Sequence, residues 1–505
     1  MPLDAPVKEI EAIDPAAESA AIKTRAVSGV KVLAARTLIS VLLRVVSSLV
    51  LARLLFPKDY GLFGVVSYIA GLGMFLTDVG LASALVRQDT KPTRNEAFTV
   101  FCTQQLITAL VVLAVVVTAP LLIHLYALSP SARLLLYALA FGLFLSSLRV
   151  VPMMALEREL QFPVIARCEL IENIVQTGST IALAYLGWGA WALAGGGLLR
   201  GVVGLVLVWA ASPWRPAGHF ELAIVKRLAR FGFAFQLNAI IPTLLGGWMP
   251  LVVGRVLGIA AVGLVGWAMN IASVPMMLSG VLNRVAFPAY SRLQSDPEAL
   301  GRYLGASIRR ISAVFSLVIP LVVIACPVAI PALFHARWVP AIPLVQWFSL
   351  ECIIVTLTGL LASTQNAMGY SSERLIVTIV VGSLRWGFGY LAVRSFGLLG
   401  IGPTMFLLSL TEMVVSAVLV MRRNSGCSRI MQETLTPLLA VGAMLTVALG
   451  LGWTISHHNV LIQTLIALLV FAGLLALREV ITGGRVLNTE LRAIYGMLRP
   501  RQVKA

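Results

Sequence analysis

Along its whole length the chain is a succession of apolar runs separated by short polar breaks. A helix rises about 1.5 Å per residue, so roughly 20 apolar residues cross a hydrocarbon core about 30 Å deep. Fourteen runs meet that length. They lie near 33–55, 61–81, 97–123, 132–152, 167–186, 188–211, 231–256, 260–283, 309–333, 340–362, 374–394, 397–421, 435–455 and 459–477. The pattern predicts an all-α polytopic membrane protein of about fourteen transmembrane helices, numbered here as spans 1 to 14.

The breaks alternate in charge. Lys23, Arg25 and Lys31 precede span 1, and Arg87, Lys91 and Arg94 follow span 2. Arg158 and Arg167 follow span 4, and Arg215, Lys226, Arg227 and Arg230 follow span 6. Arg284, Arg292, Arg302, Arg309 and Arg310 follow span 8; Arg374 follows span 10; Arg422, Arg423 and Arg429 follow span 12. The other breaks hold little beyond Lys58, His335, Arg337, His457 and His458. Basic residues collect on cytoplasmic loops, so both termini are predicted to be cytoplasmic.

The first two spans recur. Residues 53–63, RLLFPKDYGLF, align with 255–265, RVLGIAAVGLV, at a constant offset. Arg53 falls on Arg255, Leu55 on Leu257, Gly61 on Gly263 and Leu62 on Leu264. Six spans separate the copies, and an even number preserves direction, so the repeat is parallel about the membrane normal. Chance similarity between apolar stretches is the alternative. The expected organisation is a tail at 1–32, an N-lobe of spans 1–6 at 33–230 and a C-lobe of spans 7–12 at 231–425. An appended pair of spans at 426–478, free of internal charge, and a cytoplasmic tail at 479–505 follow. Met154–Phe162 and Phe220–Leu228 have amphipathic spacing and are expected along the interface. The link from Arg284 to Arg310 is either a hinge or a passive tether. Pro242, Pro250, Pro275 and Pro320 are expected to kink their spans.

Composition agrees. Of 505 residues, 59% are apolar and 12% charged, against about 25% charged in soluble domains. The net charge of +17 would suggest nucleic acid in a soluble protein. Here it is absorbed by the loops, and no nucleic-acid partner is expected. The five cysteines form no ligand pattern and read as small apolar packers. The tail before span 1 lacks the apolar core of a cleaved signal. No nucleotide-binding GxxxxGK[ST] string occurs, and neither a metal nor a cofactor is expected.

The candidate functional groups are polar residues at membrane depth. Arg36 and Arg44 lie in span 1, Arg200 in span 6 and Arg385 in span 11. Glu351 lies in span 10, and Asp78 and Glu412 lie toward the cytoplasmic ends of spans 2 and 12. Gln236 and Asn238 open span 7, and Asn270 is in span 8. A charge at bilayer depth costs about 2.5–3.5 kcal/mol even on mild scales, so such groups face a protein interior or a wet cavity. Arginine–carboxylate pairs that only lock helices together are the structural alternative for each. Arginines outnumber carboxylates at depth, which implies a basic cavity.

The string ARLLFPKDYGLF at 52–63, with Thr77–Leu81 and Ala84–Arg87, resembles the opening of bacterial polysaccharide transporters. These are oligosaccharide flippases of the multidrug/oligosaccharidyl-lipid/polysaccharide exporter superfamily. Weaker similarity continues at 254–258 and 282–293, so the resemblance touches roughly 30–425. It implies a flippase that carries undecaprenyl-pyrophosphate-linked repeat units across the bacterial inner membrane by alternating access, for polysaccharide biosynthesis. Guanidinium groups hold phosphate bidentately and stay charged at any working pH. Arg36 and Arg44, then Arg200 and Arg385, are the implied pyrophosphate ligands, with Gln236, Asn238 and Asn270 as further cavity candidates. Asp78, Glu351 and Glu412 are the ion-coupling candidates. A polysaccharide polymerase and glycosyltransferases are implied partners. A cation-coupled multidrug antiporter of the same superfamily is the alternative; it calls for a carboxylate-rich cavity and usually twelve spans. A membrane glycosyltransferase or polymerase fits less well, because every predicted outer loop is too short to hold catalytic acids and bases. A lipid-II flippase fits the Pro57–Gly61 turn less well.

Overall fold

The computed structural model describes residues 43–44, 46–77, 81, 85, 92–126, 128, 130–276, 290–455 and 459–481, the side chains of 75–76, 125, 229–239, 437 and 478–481 excepted. Among the described residues the regular structure is wholly helical. Residues 46–54 form α1, at the end of span 1. The following helices are α2 (Pro57–Thr77), α3 (Arg94–Leu125), α4 (Ser131–Ser147), α5 (Val150–Arg158), α6 (Phe162–Tyr185), α7 (Ala190–Ala211) and α8 (Leu222–Gly246). After a π-helical turn at Met249–Val253 come α9 (Ile259–Ala272), α10 (Pro297–Phe334), α11 (Ile342–Ala367), α12 (Ser371–Phe396), α13 (Ile401–Arg423), α14 (Ile430–Ile455) and α15 (Val460–Ile481). A helix stands at the place of every predicted span. Nine helical stretches among the described residues are long and apolar enough to cross a membrane, and one of them, Ser371–Arg423, takes in both α12 and α13. The full count of fourteen remains an expectation, since α9 as described has only 14 residues.

Several boundaries differ from the hydropathy pattern for identifiable reasons. α9 stops at Ala272 and turns through Ser273–Pro275; proline disfavours helix at the residue before it and cannot donate to the ladder. α8 begins at Leu222, inside the predicted break, because Ile224 and Leu228 bury against Ala97, Val100 and Met154. The Phe220–Leu228 stretch is therefore mostly the opening of a long helix docked on α3 and α5, not a separate interfacial piece. The Met154–Phe162 stretch falls largely in α5, with Val151, Met154 and Leu156 buried.

The two copies of the repeat meet face to face. A Cβ on Gly61 would lie 1.8 Å from the Ile259 carbonyl, and a Cβ on Gly263 would lie 1.8 Å from the Pro57 carbonyl. Each contact is the other shifted by the 202 residues that lay Arg53 on Arg255. Reciprocal contacts of that kind belong to elements related by a two-fold axis. Only residues without a side chain let α2 and α9 cross this closely.

The hairpin end of this crossing is sealed. Trp338 is wholly buried, stacks on Trp267 at 4.4 Å and meets the Tyr60 ring edge-on at 5.5 Å. Its indole donates to the Ala52 carbonyl at 2.8 Å, while Arg53 Nε donates to the Leu333 carbonyl at 2.7 Å. The α1–α2 turn is thus stitched to the α10–α11 corner across about 280 residues of chain. At the opposite end, the described part of the Arg284–Arg310 link folds as the start of α10. Gly301 packs on the Gly426 carbonyl and Arg309 pairs with Glu433, so this part is anchored to the start of the appended pair. The appended helices α14 and α15 bury Leu445, Ala448, Ala467 and Phe471 in the same cluster as α10.

Candidate functional site

Below the sealed end, a cavity of about 680 Å³ opens between the lobes. Tyr60, Phe63 and Gly64 of α2 and Leu193 of α7 form its N-lobe wall. The C-lobe supplies α8, α9, α11, α12 and α13. Apolar groups such as Trp248, Trp267 and Met405 cover part of the wall, and Asn270, Glu351, Thr378, Arg385 and Glu412 supply the polar part.

The polar part is one connected network. Glu412 on α13 accepts from Arg374 Nη2 at 2.7 Å and from Arg385 Nη2 at 3.1 Å, both on α12. Arg385 also donates to the Ser409 hydroxyl at 3.0 Å, which donates to Glu351 on α11. Arg385 Nε is buried and finds no acceptor among the described residues. The backbone explains how α12 comes so near α8. Gly382 and Gly389 leave room for Leu245 and Trp248, whose atoms would lie 2.6 Å from a Cβ at either position. Trp386 then donates to the Leu245 carbonyl at 3.1 Å, where α8 gives way to the π-helical turn. The residue beside Arg385 therefore fixes the rotation of α12.

The N-lobe holds a matching cluster. Glu172 on α6, wholly buried, accepts from Arg149 at 2.7 Å and from Arg200 on α7 at 3.3 Å. Arg200 also donates to Gln176 at 3.1 Å. Gly204 leaves space for the pair: a Cβ there would sit 2.5 Å from both Arg149 and Glu172. None of Arg149, Glu172 and Arg200 lines the cavity. At the 202-residue offset Arg149 falls on Glu351 and Glu172 falls on Arg374, so the repeat inverts these charges.

Of the sequence candidates, Arg385, Glu351, Glu412 and Asn270 are brought together at the cavity. Arg200 is instead held in the N-lobe cluster. Arg44 is exposed and lies outside the described cavity wall. Gln236 and Asn238 fall in α8, but their side chains are outside the described residues, as are Arg36 and Asp78 altogether. Arg149 and Arg374 were missed. Arg374 looked like one more basic loop residue, and its proximity to Glu412, 38 positions on, is tertiary. The described wall holds one guanidinium and two carboxylates, not the arginine excess expected from the sequence. A buried guanidinium without a counter-charge is costly, and each one found here has recruited a carboxylate.

Similarity to known proteins points in one direction. A family model described as polysaccharide biosynthesis protein matches residues 50–343. The lipopolysaccharide biosynthesis protein WzxC of Escherichia coli (strain K12) is 28% identical over 359 residues, covering 69% of this chain and 70% of that protein. The teichuronic acid biosynthesis protein TuaB of Bacillus subtilis (strain 168) is 23% identical over 411 residues, covering 79% of this chain and 83% of that protein. Among solved structures, the lipid II flippase MurJ in an inward closed conformation superposes with a TM-score of 0.68 at 12% identity, covering 88% of this chain and 98% of that one. An inward-facing MATE-family multidrug transporter superposes with a TM-score of 0.59 at 17% identity, covering 77% and 95%. These likenesses at low identity establish the fold.

Proposed function

Since the chain belongs to the polysaccharide biosynthesis protein family, whose model spans more than half of it, we propose that it is a flippase for lipid-linked oligosaccharide. The cargo is an undecaprenyl-pyrophosphate-linked repeat unit, and the membrane is the bacterial inner membrane, with both termini cytoplasmic. The observation that carries the reading is the between-lobe cavity with Arg385 at its wall, sealed at the hairpin end. Transport by a protein of this design needs no bond-making chemistry, so the protein is not an enzyme. A polysaccharide polymerase and glycosyltransferases are its expected partners.

The network suggests how an anion is received. Glu412 shares two guanidiniums. When a pyrophosphate draws Arg385 away, Glu412 keeps Arg374, and no carboxylate is left unpaired. Arg385 Nε has no acceptor among the described residues, so the side chain gains a partner for it by turning toward a phosphate, which a guanidinium edge binds bidentately. Arg36 and Arg44 extend this cationic path in span 1, while Arg200 stays with Glu172 and Gln176 in the N-lobe. Gln236, Asn238 and Asn270 hydrogen-bond the sugar. Asp78, Glu351 and Glu412 are the groups through which a coupling ion would act. The lobes rock about the α2–α9 crossing, and the lipid tail stays in the bilayer.

One observation favours the drug-antiporter alternative: two carboxylates line the cavity beside a single arginine. Deleting the gene separates the two readings. A flippase deletion lowers surface polysaccharide and leaves drug sensitivity unchanged; an antiporter deletion does the reverse.

A further inference from the structure

On its far side from the cavity, the α12–α13 pair carries a second concavity of about 670 Å³. Ile376, Val380 and Leu384 of α12 and Val415 and Leu419 of α13 line it. Ile376, Val380, Leu384 and Val415 are exposed there, as suits a surface that faces lipid. The groove is not apolar throughout. Its end holds Arg422, Arg423 and Glu373. Arg423 pairs with Glu373 across the two helices and lies over the Tyr370 ring at 4.8 Å. Arg422 is exposed and pairs with no carboxylate among the described residues. The rim therefore keeps a net positive charge after Glu373 is counted.

The dimensions identify the occupant. From Glu373 to Leu384 the groove follows α12 for eleven residues, about 16 Å. One leaflet of the hydrocarbon core is about 15 Å deep. A basic rim at one end and an apolar trough one leaflet deep match an amphiphile with a phosphate headgroup and chains that end at the midplane. We propose that the α12–α13 groove is a binding site for one anionic phospholipid of the leaflet on the basic side. The phosphate sits at Arg422 and Arg423, and one acyl chain lies along Val380 and Val415. A polyprenyl chain long enough to run past the midplane is matched less well by a trough of this depth. The backs of the same helices carry Arg374, Arg385 and Glu412, so a lipid held here bears directly on the spacing that sets the cavity network. The site stands whether or not the transported cargo has been assigned correctly.

The test is native mass spectrometry of the purified full-length protein released from nanodiscs that contain equal phosphatidylglycerol and phosphatidylcholine. Wild type is expected to retain one phosphatidylglycerol about tenfold more often than phosphatidylcholine, as a basic rim at the headgroup level implies. R422Q/R423Q is expected to lose that preference. V415W, which fills the trough and leaves the charges alone, is expected to lose retention of either lipid. Equal retention of the two lipids by wild type overturns the site, and so does a preference that survives both variants. A third arm adds undecaprenyl phosphate at the same concentration. Its displacing phosphatidylglycerol from wild type in an Arg422- and Arg423-dependent way assigns the groove to the carrier lipid and overturns the phospholipid assignment.

Discussion

Each lobe buries a carboxylate between two arginines, yet the two clusters stand in different surroundings. Glu172 itself is wholly buried, its arginines come from neighbouring helices, and the cluster stands outside the wall of the between-lobe cavity, with Arg200 partly exposed. Glu412 uses two arginines of one helix and faces the space between the lobes together with Arg385 and Glu351. Enclosed charge that loses its partner has nowhere to go, whereas charge at a cavity wall can exchange one partner for another. On the proposed reading, the N-lobe cluster holds helices together and the C-lobe cluster is the one that meets the cargo. At the repeat offset the charges are inverted, with Arg149 on Glu351 and Glu172 on Arg374, so the two clusters are not copies of one another.

The comparison breaks most sharply at Glu172. Glu172→Ala takes the carboxylate from half-buried Arg149 and from Arg200, which keeps only Gln176, and is expected to cost about 1–3 kcal/mol, read as a fall in folded protein in membranes and in its thermal transition. An unchanged transition would make the two clusters equivalent. Arg385→Ala is expected to do the opposite. Glu412 keeps Arg374, so the folded level stays near wild type while surface polysaccharide falls about tenfold or more, in line with losing a charge-assisted contact. Glu351→Gln keeps the hydrogen bond from Ser409 and removes only charge, so output is expected to fall by a few-fold with no change in level. The smallest effect belongs to the sealed end. Trp338→Phe removes one buried hydrogen bond to Ala52, worth about 1 kcal/mol. It is expected to raise labelling of a cysteine placed at Tyr60 from the hairpin side.

The helices were legible because each apolar run had to satisfy its own backbone in lipid. The repeat was legible in four residues, and Gly61 and Gly263 turned out to be its point of contact. Arg385, Glu351 and Glu412 stood out because charge at depth is rare in apolar sequence. What the sequence could not supply was partnership. Arg374 sits among loop arginines by spacing alone and acquires its role from Glu412 on the next helix. Arg149 lies near the end of a predicted span, where nothing in the sequence marks it as the partner of a buried carboxylate farther along the chain. The described wall lacks the expected arginine excess for the same reason: counting charges along a chain says nothing about which of them cancel.

The measurement that bears most directly on the central claim is translocation of a lipid-linked oligosaccharide in proteoliposomes, comparing wild type with Arg385→Ala at matched protein content. Wild type is expected to move the lipid across the bilayer, and Arg385→Ala to fall to the rate of protein-free vesicles. Equal translocation by the two proteins would contradict the assignment of the C-lobe network to the cargo.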